Sequence, residues 1–268
     1  MSAEDLCRLR ILVTRPAGQC EALCRRIAEL GGEGIPWPAI EIEPLRPDAG
    51  SREQLARAGD EDLVIFVSRN AVVHGATLLP RSPRPRLAAI GPSTRNALEQ
   101  IGLDLDIEPD GFDSESLLTH RQLTKLEGHR VFIVRGAGGR ELLGDTLRER
   151  GATVDYVEVY RRRPRTSTPR ERAELLATWQ SGGVDLYTAT SVQILEALYS
   201  NLGDEFSEML ASTPLVTASR RVVQRSEELR HRAERVLAPG PDDRSLVAAI
   251  ASWRGRPRDP AGRPELGK

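Results

Sequence analysis

An internal repeat constrains the fold of this 268-residue chain more than any other feature of its sequence. The segment Thr14–Gly18 (TRPAG) matches Val134–Gly138 (VRGAG), 120 residues further on. Other matches follow in the same order, with offsets that rise slowly from 120 to 129. They pair Gly31 with Gly151, Pro44 with Pro164, Ser68 with Ser191, and Ser116 with Ser245. Loop insertions in a duplicated unit produce such a drift, so the sequence predicts two copies of one unit.

Within each copy, short apolar strand signals alternate with helical patterns. Strands are predicted at Arg10–Thr14, Leu63–Ser68, Leu87–Ile90, Val131–Val134 and Val154–Tyr160. Helices are predicted over Gln19–Leu30, which Gly31 and Gly32 end, from about Asn70, from Ser93, and from Ser114 or Ser116. Strands that alternate with helices form a parallel sheet with helices on its faces. The predicted fold class is therefore α/β.

Composition excludes several function classes. Charged residues make up 29% of the chain but the net charge is −1, so no overall field indicates nucleic acid or an anionic membrane as a partner. No apolar run reaches the length of a membrane span, and the N-terminal residues do not resemble a secretory signal. Cys7, Cys20 and Cys24 have no matching cysteine pair, and no histidines have metal-ligand spacing. We expect a cytoplasmic protein with reduced thiols and no metal.

The glycine-rich segment Val131–Gly144 (VFIVRGAGGRELLG) has three possible interpretations. A dinucleotide-binding loop is one, with Asp155 as its acidic residue, but Glu141 stands where the third glycine belongs and the first copy has Pro16 in place of the first glycine. A simple strand-to-helix turn is the second. The third is a turn whose arginine and helix N terminus face an anionic ligand.

Four segments together resemble the bacterial uroporphyrinogen-III synthase family in order and spacing. They are ILVTRPAG, AAIGPSTRNAL, RGAGGRELLGDTLRERGATVDYVEVYRR and LVTASRRVVQRSEELR. The resemblance extends from about Ile11 to Trp253 and implies two α/β lobes joined by extended linkers near Ala39–Pro44 and Glu158–Pro164. We expect lobe one to comprise residues 1–40 and 165–253, lobe two residues 41–164 with the linker strands, and residues 254–268 to be a disordered tail. The resemblance thus implies a swapped duplication, in which we expect the carboxyl ends of both sheets to face one cleft.

The activity that the resemblance implies is closure of hydroxymethylbilane, a linear tetrapyrrole, to uroporphyrinogen III. The last pyrrole ring is inverted, water is lost and no cofactor is used, in porphyrin and haem biosynthesis. Such chemistry depends on holding the substrate in the correct fold, with one proton donor for the departing hydroxyl. We also expect a monomer that receives its substrate by transient hand-over from the preceding enzyme. A non-catalytic two-lobed protein that binds a small anionic or tetrapyrrole ligand is the alternative.

Tyr160 is the predicted catalytic residue. Its counterpart in the first copy is Ile40, so packing alone does not require a phenol at this position. The resemblance makes Tyr160 the candidate proton donor to the departing hydroxyl. The alternative is a linker tyrosine whose hydroxyl lies in water.

Polar residues at the predicted strand ends are the candidates for substrate binding. They are Arg15, Ser68, Asn70, Thr94, Arg135, Gly136, Thr190, Ser191 and Ser219. Hydroxyls and backbone N–H groups would bind substrate carboxylates, and the arginines would neutralise them. Helix capping is the alternative for the hydroxyls, and structural salt bridges are the alternative for the arginines. Arg69 and Val192 stand where the family commonly has proline, and Arg161–Arg163 are either solvated charge or an attraction for a polyanion.

Overall fold

The computed structural model describes residues 5–108, 111 and 113–255. The predicted tail, apart from its first two residues, lies outside this range. The chain divides into two compact units, each built on a five-stranded sheet. Unit 1 combines the chain up to Glu41 with the chain from Arg163 onward, and unit 2 is Ile42–Arg162.

The described elements alternate strands and helices along the chain. They are β1 (Arg10–Val13), α1 (Ala17–Glu29), β2 (Glu33–Pro36), β3 (Ile40–Pro44), α2 (Ala49–Ala56), β4 (Leu63–Phe66), α3 (Arg69–Gly75), β5 (Arg86–Ala89), α4 (Pro92–Glu99), α5 (Ser114–Leu118), β6 (Arg130–Gly136), α6 (Leu142–Glu149), β7 (Thr153–Pro164), α7 (Pro169–Gln180), β8 (Leu186–Thr188), α8 (Val192–Leu202), α9 (Asp204–Ser212), β9 (Leu215–Thr217), α10 (Arg220–Glu228), β10 (Arg235–Leu237) and α11 (Asp243–Arg254). None of the helices in the described ranges is both long and apolar enough to cross a bilayer.

Four strands of each sheet follow the same order once the repeat is applied, and the fifth strand is added at opposite edges, β10 in unit 1 and β3 in unit 2. Unit 1 has the order β10-β9-β8-β1-β2, and unit 2 has β3-β7-β6-β4-β5. Apart from β3 and β7, neighbouring strands run parallel, for example β1 with β2 and β8, and β6 with β4 and β7. Unit 1 takes β1 and β2 from the first copy and β8 to β10 from the second, whereas unit 2 takes the remainder. The predicted α/β fold with a swapped duplication is confirmed.

Matched residues of the two copies occupy the same turn and helix-cap positions. Gly31 and Gly151 follow α1 and α6, and both have positive φ, 80° and 95°, which glycine adopts without steric cost. Asp113 and Asp242 cap α5 and α11, and each accepts a hydrogen bond from the backbone N–H three residues further on. The repeat is therefore visible in individual turns and caps as well as in the order of strands.

The predicted linker segments pair with each other as β3 and the distal part of β7. Leu45 N donates to Val159 O at 2.9 Å, and Arg165 N donates to Ala39 O at 2.9 Å, so the two segments run in opposite directions. The predicted end of the strand at Tyr160 is wrong, because β7 continues for twelve residues to Pro164. Pairing with β3 provides backbone partners for this extension, which a strand-propensity pattern does not reveal.

Both faces of each sheet are covered by apolar side chains. In β6, Phe132 and Val134 join one buried cluster, whereas Val131 and Ile133 join another on the opposite face. Continuous burial on both faces is the usual state of a parallel sheet between layers of helices. The carboxyl edges of the sheets and the loops that follow them are therefore the places where a ligand can meet polar groups.

Candidate active site

A small group of polar residues gathers at the carboxyl edge of the unit 2 sheet. Ser68 follows β4, Gly136 ends β6, and Tyr160 lies opposite Gly136 on β7. Three residues predicted from separate parts of the sequence are thus neighbours at one edge. Ligands of open parallel sheets bind at this edge, so it is the first place to examine for chemistry.

Tyr160 is buried, with 1% of its surface exposed, and belongs to the unit 2 core. Its ring lies on Gly136, where a Cβ atom would come within 2.6 Å of the ring. Its hydroxyl lies 3.0 Å from Ser68 Oγ and accepts a hydrogen bond from Arg162 Nη2 at 2.9 Å. The alternative of a hydroxyl in water is therefore wrong. The matched residue of unit 1, Ile40, is also buried, at 2%, but brings no hydroxyl.

A β-bulge aims the Tyr160 side chain. Along β7 the register pairs Arg135 with Glu158 and then Gly136 with Tyr160, so Val159 is an extra residue. Side chains of a regular strand alternate between faces, yet Val159 and Tyr160 belong to the same buried cluster. The bulge turns Tyr160 to the face that Val159 occupies, towards Ser68. The sequence pattern of alternating side chains does not predict this irregularity.

Ser68 and Ser191 are helix caps, as their capping interpretation predicted. Ser68 Oγ accepts from Ala71 N at 3.1 Å, and Ser191 Oγ accepts from Ile194 N at 3.2 Å. The departures from the family pattern at the following residue leave both caps intact. Ser68 differs in its added contact with the Tyr160 hydroxyl, whereas Ser191 has no second side-chain partner among the described residues. Capping and a role at the site are compatible for Ser68.

For Thr94 and Ser219 the capping interpretation is wrong. The buried Thr94 hydroxyl donates to Ile90 O at 2.9 Å, which ties α4 to the end of β5. Ser219 occupies the N-cap position of α10 without a side-chain cap, and its backbone N–H donates to Thr217 Oγ1 at 3.1 Å. The Thr94 hydroxyl is therefore occupied, and the Ser219 hydroxyl makes no hydrogen bond within the part of the chain that the structure describes.

Thr190 and Asn70 are half-buried at the starts of α8 and α3. Their side chains make no hydrogen bond to any other described residue. Both lie beside a capping serine at the carboxyl edge of their own sheet, Thr190 in unit 1 and Asn70 in unit 2. Their predicted role in binding substrate stays a prediction.

Arg15 forms an internal ion pair in unit 1. Its guanidinium contacts the Asp243 carboxylate and donates to the carbonyl of Pro241, at the start of α11. Burial lowers the pKa of Arg15, and the charge of Asp243 opposes that shift. The structural alternative therefore describes Arg15 better than an open charge that awaits a substrate carboxylate.

Arg135 is likewise enclosed, in unit 2. Its Nη2 lies 3.0 Å from Glu141 Oε1 and 3.2 Å from Glu158 Oε1, and its guanidinium lies 3.6 Å from the ring centre of Tyr156. Its Nη1 donates to the carbonyls of Gly139 and Arg140, each at 3.3 Å. Arg135 therefore holds the glycine-rich turn through its side chain. Like Arg15, it is neutralised by carboxylates of this chain.

The same turn argues against a dinucleotide site. Glu141 directly precedes α6, where a pyrophosphate would have to lie. The neighbouring Tyr156 phenol and the Arg135 guanidinium lower the pKa of Glu141 and so favour its charged form. A carboxylate at this position repels a phosphate group. Asp155, the proposed acid of the fingerprint, is 3.7 Å from Arg130 in an ion pair of its own.

Arg162 also belongs to this group of polar residues, although it was not among the predicted site residues. Within the run of three arginines, Arg161 makes a two-pronged ion pair with Glu43, with both N–O distances at 2.7 Å. Arg162 is exposed, yet its guanidinium lies 5.3 Å from the ring centre of Tyr160 as well as bonding to the phenol oxygen. A strand places residues two apart on the same face, and that spacing was the available signal.

Cys7, Cys20 and Cys24 are free thiols. The described residues hold no group of three or more histidine, cysteine, aspartate or glutamate side chains placed to bind a metal ion.

Comparisons with known proteins agree on one family. The family model described as uroporphyrinogen-III synthase HemD matches residues 21–248. The uroporphyrinogen-III synthases of Salmonella typhimurium and Escherichia coli are each 34% identical over 249 residues, which cover 90% of this chain and 100% of each relative. A solved synthase from Thermus thermophilus has a TM-score of 0.58 at 18% identity, covering 92% of this chain and 97% of that one, and shows the shared fold. The match along the whole length of these two relatives, together with the family model that matches residues 21–248, shows that the chain belongs to the uroporphyrinogen-III synthase family.

Proposed function

We propose that this chain cyclises hydroxymethylbilane to uroporphyrinogen III, with inversion of the last pyrrole ring and loss of water, in porphyrin and haem biosynthesis. The observation that carries the proposal is the 34% identity to two synthases along their whole length. A match that left out one unit would support a shared fold and less of the chemistry, because a fold by itself does not define an activity.

The polar group at the carboxyl edge of unit 2 supplies chemistry that this reaction needs. The substrate hydroxyl must leave with a proton, and the Tyr160 phenol is a proton source with a cation beside it at 2.9 Å. The first copy has an isoleucine at the matched position, so the hydroxyl is a feature of one unit. The enzyme otherwise acts by holding the linear tetrapyrrole in one conformation. From that conformation, ring closure with inversion of the last pyrrole is faster than ring closure without inversion.

Substrate carboxylates are the expected ligands of the remaining polar groups. We assign this role to Asn70 and Gly136 in unit 2 and to Thr190, Ser191 and Ser219 in unit 1. Their amide, hydroxyl and backbone N–H groups donate hydrogen bonds, and bonds to charged acceptors are the stronger ones. Thr94, Arg15 and Arg135 contribute indirectly, because their polar atoms are held by partners within the chain.

The proposal extends to the working state of the enzyme. It acts as a monomer in the cytoplasm, without a metal or organic cofactor, on hydroxymethylbilane received from the enzyme that makes it. Dialysis against a chelator should therefore leave its turnover unchanged, and turnover per chain should not depend on protein concentration.

Product analysis tests the activity directly. Purified protein is incubated with freshly generated hydroxymethylbilane, the products are oxidised, and the uroporphyrin isomers are separated by chromatography. Isomer III in excess, at a rate proportional to protein concentration, is the expected result. Isomer I alone, at the rate of a protein-free control, would refute the proposal for a chain shown to be folded. Saturable tetrapyrrole binding in that case would support the non-catalytic alternative.

A further inference from the structure

We propose that Ser68 delivers the proton to the departing substrate hydroxyl, as the outer end of a relay that runs from Arg162 through Tyr160. Arg162 and Tyr160 act behind Ser68 and do not touch the substrate oxygen. This inference rests on the proposed function and assigns a direction of proton transfer within the same site.

Burial separates the roles of the two hydroxyls. Tyr160 is 1% exposed, and its ring is held between Gly136 and the core of unit 2. A substrate oxygen could contact this phenol only if one of the side chains that cover it moved. Ser68 lies at the start of α3 and is half-buried, with its Oγ 3.0 Å from the phenol oxygen. Ser68 is therefore the hydroxyl that a ligand can reach.

The available donors and acceptors determine the direction of each hydrogen bond between Arg162, Tyr160 and Ser68. Arg162 can only donate, so the phenol oxygen of Tyr160 accepts from it at 2.9 Å. If Ser68 also donated to that oxygen, the buried phenol proton would have no acceptor within the described residues, at the cost of an unsatisfied polar group. Tyr160 therefore donates to Ser68, whose other lone pair accepts from Ala71 N at 3.1 Å.

The serine proton is the remaining free group in this arrangement. Ser68 accepts two hydrogen bonds, from Tyr160 and from Ala71, so its own O–H must point to a third partner. The described residues offer none. The relay therefore runs Arg162 to Tyr160 to Ser68 and ends on a proton directed away from the protein core.

The proton transfer balances without any further reactant. As the carbon–oxygen bond of the substrate hydroxymethyl group breaks, the oxygen keeps the electron pair and takes the Ser68 proton, leaving as water. The Tyr160 proton moves to Ser68, and the phenol oxygen acquires negative charge beside the guanidinium of Arg162, which stays protonated. The proton that the substrate loses when the closed ring regains its aromatic form returns to the relay.

Unit 1 provides an internal comparison for the polar group of unit 2. Ser191 caps α8 as Ser68 caps α3, with nearly the same distance to the third backbone N–H. The residue of unit 1 that matches Tyr160 is Ile40, which has no hydroxyl. The residue that matches Arg162 in the sequence is Ile42, which has no charge. The serine is therefore explained by capping in both units, whereas the phenol and the guanidinium are present in one alone.

Four substitutions test the relay in the full-length enzyme. Ser68→Asn keeps a good helix cap but has no hydroxyl, whereas Ser68→Thr keeps both the cap and the hydroxyl. Tyr160→Phe removes the inner proton, and Arg162→Met removes the cation, with Arg162→Lys as its conservative partner. Arg161→Met is the matched control, because it removes the same charge one residue away on the same strand. Circular dichroism checks that each variant is folded.

The assay is the steady-state rate of isomer III formation, resolved into kcat and KM. Ser68→Asn and Tyr160→Phe should each lower kcat by about 10- to 100-fold, at or below the lower end of what a positioned general acid contributes, with KM little changed. The double variant should be no slower than either single one, because both substitutions interrupt one path. Ser68→Thr should recover part of the kcat that Ser68→Asn loses, and Arg162→Lys should recover part of what Arg162→Met loses. Arg161→Met, which lies outside the relay, should keep the parent kcat.

The outcomes separate the relay from the proposed function. A parent enzyme that forms no isomer III overturns the proposed function, and the relay with it. An active parent in which Ser68→Asn keeps full kcat while Tyr160→Phe is slow overturns the relay alone, because Tyr160 would then act directly. Losses that multiply in the double variant, or an unchanged Tyr160→Phe, also overturn it.

Discussion

Lowering the pH should destabilise unit 1 through a single buried histidine. His231 follows α10 and is 3% exposed. Its Nδ1 lies 3.3 Å from the Tyr187 hydroxyl, and its Nε2 is buried without a hydrogen-bond partner in the described structure. Burial first, and then the positive charge of Arg235 and Arg232, lower the pKa of His231 from 6.5 to about 4. The folded state therefore holds this ring neutral.

The sign and size of the effect follow from this pKa. The unfolded chain takes up a proton near pH 6.5, whereas the folded chain does so near pH 4, so stability is complete above pH 6.5 and is lost as the pH falls towards 4. Within that window, each drop of one pH unit lowers the free energy of unfolding by at most about 1.4 kcal/mol. Between pH 7.5 and pH 5, the free energy of unfolding should fall by up to about 2 kcal/mol.

Tryptophan fluorescence during urea unfolding is the appropriate assay. All three tryptophans, Trp37, Trp179 and Trp253, are buried in unit 1, so their signal follows the unit that contains His231. Unfolding curves are recorded at pH 7.5, 6 and 5 for the parent and for His231→Gln, which does not titrate. The chosen window avoids carboxylates such as Glu171, whose pKa hydrogen bonds from Thr168 lower to about 2.

The comparison between parent and variant decides the argument. Between pH 7.5 and pH 5, the free energy of unfolding of the parent should fall by up to about 2 kcal/mol more than that of His231→Gln. Equal losses in the two proteins would refute the reasoning, because the proton uptake would then belong to other groups.

Two further substitutions test the packing of unit 2. Gly136→Ala should lower its stability by about 1–3 kcal/mol and slow turnover as Tyr160→Phe does, because the new Cβ would come within 2.6 Å of the Tyr160 ring; calorimetry and the isomer assay measure both effects. Gly18→Ala, where no atom lies within 4 Å of the added carbon, is the control and should show neither loss. Arg135→Met should cost about 1–3 kcal/mol, because it leaves two carboxylates and two carbonyls of the turn without their cation, whereas Arg140→Met removes an exposed pair with about 0–1 kcal/mol of effect. Equal melting temperatures for these two arginine variants would contradict the structural role assigned to Arg135.

Local features of the sequence predicted much of the fold. The capping serines, the glycines after α1 and α6, and the alternation of strands with helices all lie where expected, within a few residues. These features act through backbone groups three or four residues away, so a linear pattern contains the relevant information. The repeat also predicted that the two sheets would be similar, because two copies of one sequence pattern pack their strands and helices in the same way.

The candidate site was predicted only in part. Tyr160 was identified by its mismatch with Ile40, and Ser68 by its place at a strand end. Their contact depends on a bulge in β7, and an inserted residue in one strand has no signature in a pattern of alternating hydrophobicity. Arg162 lies two residues from Tyr160, which is a spacing that places both on one face of a strand, but a run of three arginines is equally typical of solvated charge.

By itself, the sequence determined that this chain is a duplicated α/β protein of a recognisable family, with a phenol in one copy where the other has an aliphatic side chain. Only the tertiary structure decided what the polar groups do. Arg15 meets Asp243 across 228 residues, and Ser68 meets Tyr160 across 92. Secondary structure forms from near neighbours, whereas the partner of a buried charge or hydroxyl is chosen by which strands and loops the folded chain brings together. In the folded chain, the predicted substrate ligands Arg15 and Arg135 form internal ion pairs. The Ser68 hydroxyl lies next to the hydroxyl of Tyr160, the predicted proton donor.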